Sequence, residues 1–172
     1  MTDWMKAFNP TSPITTEAEA EGAARASAVA MFIGAVVGVA SVAWALANPG
    51  AIQDALTAAG NADAETAAAA AAGAQIGLWT AGGFAVLQAI LGFVQWRNPG
   101  KMLAILFIVL VAFGIVSTAA TPLLAGAVPN MPATPLWQVV LSLIVLVVQL
   151  VLLIAGLRGI NRLDQLQMDS AR

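Results

Sequence analysis

Four stretches of the chain, at about 26–47, 73–96, 101–121 and 136–157, are apolar nearly throughout, and the polar positions gather between and beyond them. About 20 apolar residues in a helix cross the hydrocarbon core of a bilayer, so each stretch has the length of one span. The pattern predicts an all-α integral membrane protein. Its core is a bundle of four transmembrane helices within 17–160, flanked by polar tails at 1–16 and 161–172.

The boundaries carry turn and cap chemistry. Thr16-Glu17-Ala18-Glu19 fits a capping box, with Thr16 as N-cap and Glu19 reaching back, so the first helix starts near 17. Glu21 and Arg25 follow as an i,i+4 pair in the favourable order. Asn48-Pro49-Gly50 stops this helix, and Asn98-Pro99-Gly100 forces a reversal between the second and third spans. In both, proline lacks a donor and pushes the residue before it out of the α region, while glycine accepts φ > 0. Pro122 is expected to end the third span, with an extended Pro-rich connector over 129–135. Thr134 as N-cap and Pro135 at the first helical position would open the fourth, and Arg158 and Arg162 would close it.

Two segments read as helices outside the core. Residues 51–60 place Ile52, Ala55, Leu56 and Ala59 on one face, which predicts a short interfacial helix between spans one and two. Asp63 then caps the second long helix, whose alanine-rich lead-in is solvated. In the N-terminal tail Trp4, Met5 and Phe8 share a face if 3–8 is helical, giving either an interfacial foot or a disordered tail. The first residues lack the apolar core of a signal peptide, so targeting is expected to rest on the first span.

Charge then orients the bundle. The seven Lys and Arg fall near the N-terminus (Lys6, Arg25), around the 97–101 turn, and after the fourth span (Arg158, Arg162, Arg172). The 48–72 and 123–135 loops carry none. The topology anchors Arg97, Lys101, Arg158 and Arg162 thus predict N-in, C-in insertion under the positive-inside rule, with both tails cytoplasmic. Trp44, Trp79 and Trp137 toward the outer ends and Trp96 at the inner end fit an interfacial belt. The Ala- and Gly-rich composition associates with a bacterial inner membrane.

Composition agrees with membrane residence and narrows the chemistry. The chain is 60% hydrophobic and 9% charged, with mean hydropathy +0.86, whereas soluble domains carry about 25% charged residues. There is no Cys, no His and no Tyr, and no basic run for nucleic acid. No ionisable residue lies at mid-span, where ion-coupled transporters place one. Four-span multidrug transporters resemble this chain in span count only, because they need a membrane-embedded Glu. The acidic residues lie outside the apolar spans, and Glu19 is expected to titrate as an ordinary solvated carboxylate.

Two residue patterns remain as candidate sites. Ala30, Gly34 and Gly38 in the first span, and Gly73, Gly77 and Ala81 in the second, recur at spacing four. Such faces let helices approach closely, either spans one and two with each other or this chain with a partner. Gln138, Ser142 and Gln149 share one face of span four, and Gln88 stands in span two with Gln95 seven residues on. This polar seam either joins helices by hydrogen bonds or lines a ligand or solute path. Gly82-Gly83 marks a kink or close contact in span two.

The expected function is a non-catalytic structural or accessory subunit of an inner-membrane assembly. Its partners would be membrane lipid and other membrane subunits or copies of itself, and no nucleic acid. The alternative is a passive channel or carrier for a small neutral or lipidic solute. No cofactor is assigned, although a lipid, quinone or pigment held by apolar packing needs neither His nor Cys.

Overall fold

The protein was analysed as a computed structural model, which describes residues 4–50, 64–127 and 135–171. Its helices are α1 (Trp4–Phe8), α2 (Glu17–Ala47), α3 (Ala64–Arg97), α4 (Lys101–Ala127) and α5 (Leu136–Ser170). Among the described residues there is no strand. Four of the helices are long and apolar enough to cross a membrane. The expected surface helix at 51–60, the Asp63 cap, the 129–134 connector and the Thr134 cap lie outside the described residues.

The caps follow the local chemistry. Glu19 N donates to Thr16 Oγ1 at 3.3 Å, and Thr16 N returns a bond to Glu19 Oε2 at 3.3 Å, completing the capping box. At the other end of α2, Asn48 donates from its backbone and its side chain to Trp44 O. The tight turn after α3 is held by Asn98 N donating to Val94 O at 2.8 Å.

Three boundaries differ from the sequence pattern. Pro122 does not end α4; the helix runs through it to Ala127. Proline removes one backbone donor, but breaking a helix in an apolar phase would orphan a whole turn of polar groups, so continuing costs less. Thr121 Oγ1, donating to Ser117 O at 3.1 Å, supplies a local side-chain bond beside the interruption. Arg158 and Arg162 do not close α5, which continues to Ser170, and residues 158–164 form tertiary contacts described below. Pro135 occupies the N-cap position rather than the first helical turn, with φ −54° and ψ 134°.

α2 lies against both α3 and α5, α5 also lies against α4, and α1 folds back onto α2 and α5. Met31, Leu152, Leu153, Phe107 and Val111 are buried where α2, α4 and α5 meet. Ala24, Ala104 and Ile160 form a second cluster nearer the chain termini. The backbones of α2 and α5 touch there. A Cβ on Gly156 would stand 2.6 Å from Ser27 N, and one on Gly159 would overlap Ala24 N. Close approach of this kind supplies the van der Waals packing that holds helices together in lipid.

Burial along two helices shows the shape of the bundle. On one face of α3, Gln95 is fully buried and Gln88 half-buried, while Ala81, Gly77 and Gly73 are exposed. On α5, Leu153 and Gln149 are buried, while Ser142 and Gln138 on the same face are exposed. These faces of α3 and α5 are thus closed at the end carrying both termini and open at the other, although Val139 near the start of α5 stays buried.

Candidate functional site

The closed end is built on a buried amide. Gln95 is 0% exposed. Its Nε2 donates to Ser27 Oγ at 3.0 Å and to Gly100 O at 3.2 Å, and its Oε1 accepts from Gly100 N at 3.1 Å. Ser27 Oγ in turn donates to Ala24 O at 2.7 Å. One side chain therefore ties α3 to α2 and also satisfies the turn that leads into α4. In an apolar surround each unmet polar atom would be costly, which favours this fully paired arrangement.

Halfway along the bundle, two further amides meet at a glycine. A Cβ on Gly34 would lie 2.8 Å from Gln88 Oε1 and 3.1 Å from Gln149 Nε2. Gln149 is 5% exposed. Of the predicted seam, Gln88 and Gln149 converge here, whereas Gln138 and Ser142 stand exposed toward the open end. The two amides flank the glycine, and each has the capacity to donate to and accept from a carbonyl or hydroxyl.

The small-residue face is divided in the same way. Ala30 is buried, Gly34 faces the two amides, and a Cβ on Gly38 would lie 2.9 Å from Ala85 Cβ. Among the described residues a Cβ on Gly73 or Gly77 would meet nothing within 4 Å, and Ala81 is exposed. Gly82 approaches Val42, and Gly83 faces open space. Val39, Val42, Leu46, Leu78, Trp79 and Val86 contribute to an apolar groove of about 600 Å³ between α2 and α3.

The tryptophans and cations sort by end. Trp44, Trp79 and Trp137 are exposed near the open end, Trp79 to 75%. At the closed end Trp96 stacks on Trp4 of α1 at 6.1 Å between centroids, and the Arg25 guanidinium lies 5.5 Å over the Trp96 ring. Arg97 lies over Phe93 at 5.9 Å. Lys101 pairs with Asp164 at 2.6 Å, joining the starts of α4 and the extension of α5. Arg158 donates to Pro10 O, and Arg162 Nε donates to Ile14 O at 3.3 Å.

The N-terminal residues thus form a strap under the closed end. Lys6 of α1 pairs with Glu19 of α2. This contact, with Thr15 backbone and side-chain donors and then Thr16 N, lowers the Glu19 carboxyl from 4.5 to about 2. Glu19 does not titrate as an ordinary solvated carboxylate, because the strap brings an ammonium group to it from a distant part of the chain.

Sequence reasoning missed Ser27, Gly156, Gly159 and Asp164. Only the glycine pair left a trace, a three-residue spacing of small residues in an otherwise bulky helix. Gln95 was visible as an amide seven residues from Gln88, but its partners on α2 and in the turn were not. No family model, curated protein or solved structure matches this chain.

Proposed function

We propose that the protein is a non-catalytic accessory subunit of a bacterial inner-membrane assembly, inserted with both termini in the cytoplasm and acting by transmembrane helix packing. The observation that carries this reading is the unfilled small-residue face of α3. Among the described residues, Gly73 and Gly77 meet no atom within 4 Å of an added Cβ, on a helix whose lower half is packed on that same side. A glycine in lipid gains nothing from acyl chains that leucine would not gain more of, whereas it admits a second helix backbone closely. The test is affinity capture of the full chain from native membranes in mild detergent, with mass spectrometry of what accompanies it. Stoichiometric membrane partners that are lost with Gly73→Leu/Gly77→Leu support the proposal; recovery of the chain alone from wild type opposes it.

A second reading rests on the amides. Gln88 and Gln149 close on Gly34 at the foot of the open part of the bundle, an arrangement that suits a passive carrier or channel for a small neutral or lipidic solute. Flux of such a solute in liposomes holding only this chain, abolished by Gln149→Leu, favours this reading over the first.

A further inference from the structure

The apolar span of α5 ends at Leu157, and two arginines one turn apart follow it on the continuing helix. Arg158 and Arg162, with Asn161 and Gln165 of α5 and Pro13 and Ile14 of the strap, line an open pocket of about 380 Å³. Both arginines are half-buried. Their acceptors are uncharged: Pro10 O for Arg158, and Ile14 O and Gln165 Oε1 for Arg162. The three described ion pairs use Lys6, Arg25 and Lys101, so neither arginine is among them. The carbonyls orient two guanidinium groups, and among the described residues no carboxylate pairs with either. Each has five N–H donors, more than these bonds occupy, and the planar fork matches two oxygens of a phosphate.

The same face of α5 continues toward the open end as an exposed apolar stripe. Val140, Ile144, Val147, Val151 and Ile154 recur at alternating steps of four and three, and Arg158 is the next position in that series. A charged pocket at the end of an apolar track, at the boundary of the span, has the form of a headgroup joined to a chain. Basic pockets at this depth attract anionic lipid.

We propose that Arg158 and Arg162 bind the phosphate of an anionic phospholipid headgroup, whose acyl chain lies along the Val140–Ile154 stripe of α5. A free phosphate could use the arginines but not the stripe, so the experiment separates the two sources. The purified full-length chain, delipidated in detergent, is titrated with phosphatidylglycerol, phosphatidylcholine or inorganic phosphate, and bound lipid is read by native mass spectrometry and by thermal shift. The expected result is one retained phosphatidylglycerol, bound about tenfold or more tightly than phosphatidylcholine, with no comparable effect of phosphate. Arg158→Gln/Arg162→Gln should abolish the preference.

Those substitutions also release the strap, so a second variant is needed. Ile14→Trp fills the pocket while keeping the backbone carbonyl that holds Arg162. It should lose the phosphatidylglycerol preference as well. Equal binding of the two lipids by wild type, a matching response to inorganic phosphate, or an unchanged preference in Ile14→Trp would each overturn the proposal.

Discussion

Gln95 of α3 and Ser27 of α2 are joined by a buried hydrogen bond of 3.0 Å between side chains 68 residues apart. Because the same amide also serves both polar groups of Gly100, its loss strands partners in two places. Gln95→Leu is expected to lower stability by about 1–2 kcal/mol, with a smaller effect for Ser27→Ala. Thermal or denaturant unfolding in detergent checks this, and a Gln95→Leu variant as stable as wild type would contradict the reading of this bond as structural.

Three sets of glycines should behave differently. Gly159→Leu places its first side-chain carbon against the α2 backbone, where no rotamer change relieves it, and should cost about 1–3 kcal/mol or more. Gly34→Leu meets the flexible amide ends of Gln88 and Gln149 and should disrupt packing more mildly, whereas Gly38→Leu meets the Ala85 Cβ, which cannot rotate away. Gly73→Leu and Gly77→Leu meet none of the described residues, so the isolated protein should keep its stability while partner capture falls. Melting curves of the isolated variants separate these classes.

The strap should respond to acid. Folding holds the Glu19 carboxyl below its ordinary value, so the contribution of its pairing with Lys6 is full above about pH 4.5 and is lost as pH falls toward about 2. Trp4 stacks on Trp96 two residues from Lys6, which makes tryptophan fluorescence the natural reporter. Glu19→Gln should remove the acid-dependent part of that signal between these pH values. An unchanged acid profile in Glu19→Gln would show that another group controls the strap.

Insertion direction can be read on this cysteine-free chain with single introduced cysteines. An impermeant thiol reagent applied outside intact cells should label positions Ala58 and Asn130 but not Asn98 or Ser170. Labelling at Asn98 would reverse the orientation proposed from the Lys and Arg placement.

The four spans, the capping box at Thr16 and Glu19, and the reversal at Asn98-Pro99-Gly100 were legible in the sequence because each depends on neighbours along the chain. Length and hydropathy define a span, and a cap or turn is closed by residues within a few positions. The arrangement of the spans was not legible. In a soluble bundle the buried stripe is apolar and the outer face polar, so period reveals the packed side. In lipid both sides are apolar, and Leu153 in the core reads like Ile154 facing outward. Only the tertiary structure therefore decided that α2 and α5 meet backbone to backbone at Gly156 and Gly159, and that Gly73 and Gly77 of α3 meet none of the described residues. It likewise decided that Arg158 and Arg162 continue a helix instead of ending one. Their acceptors, the carbonyls of Pro10 and Ile14, lie at the far end of the sequence, where no local pattern could announce them.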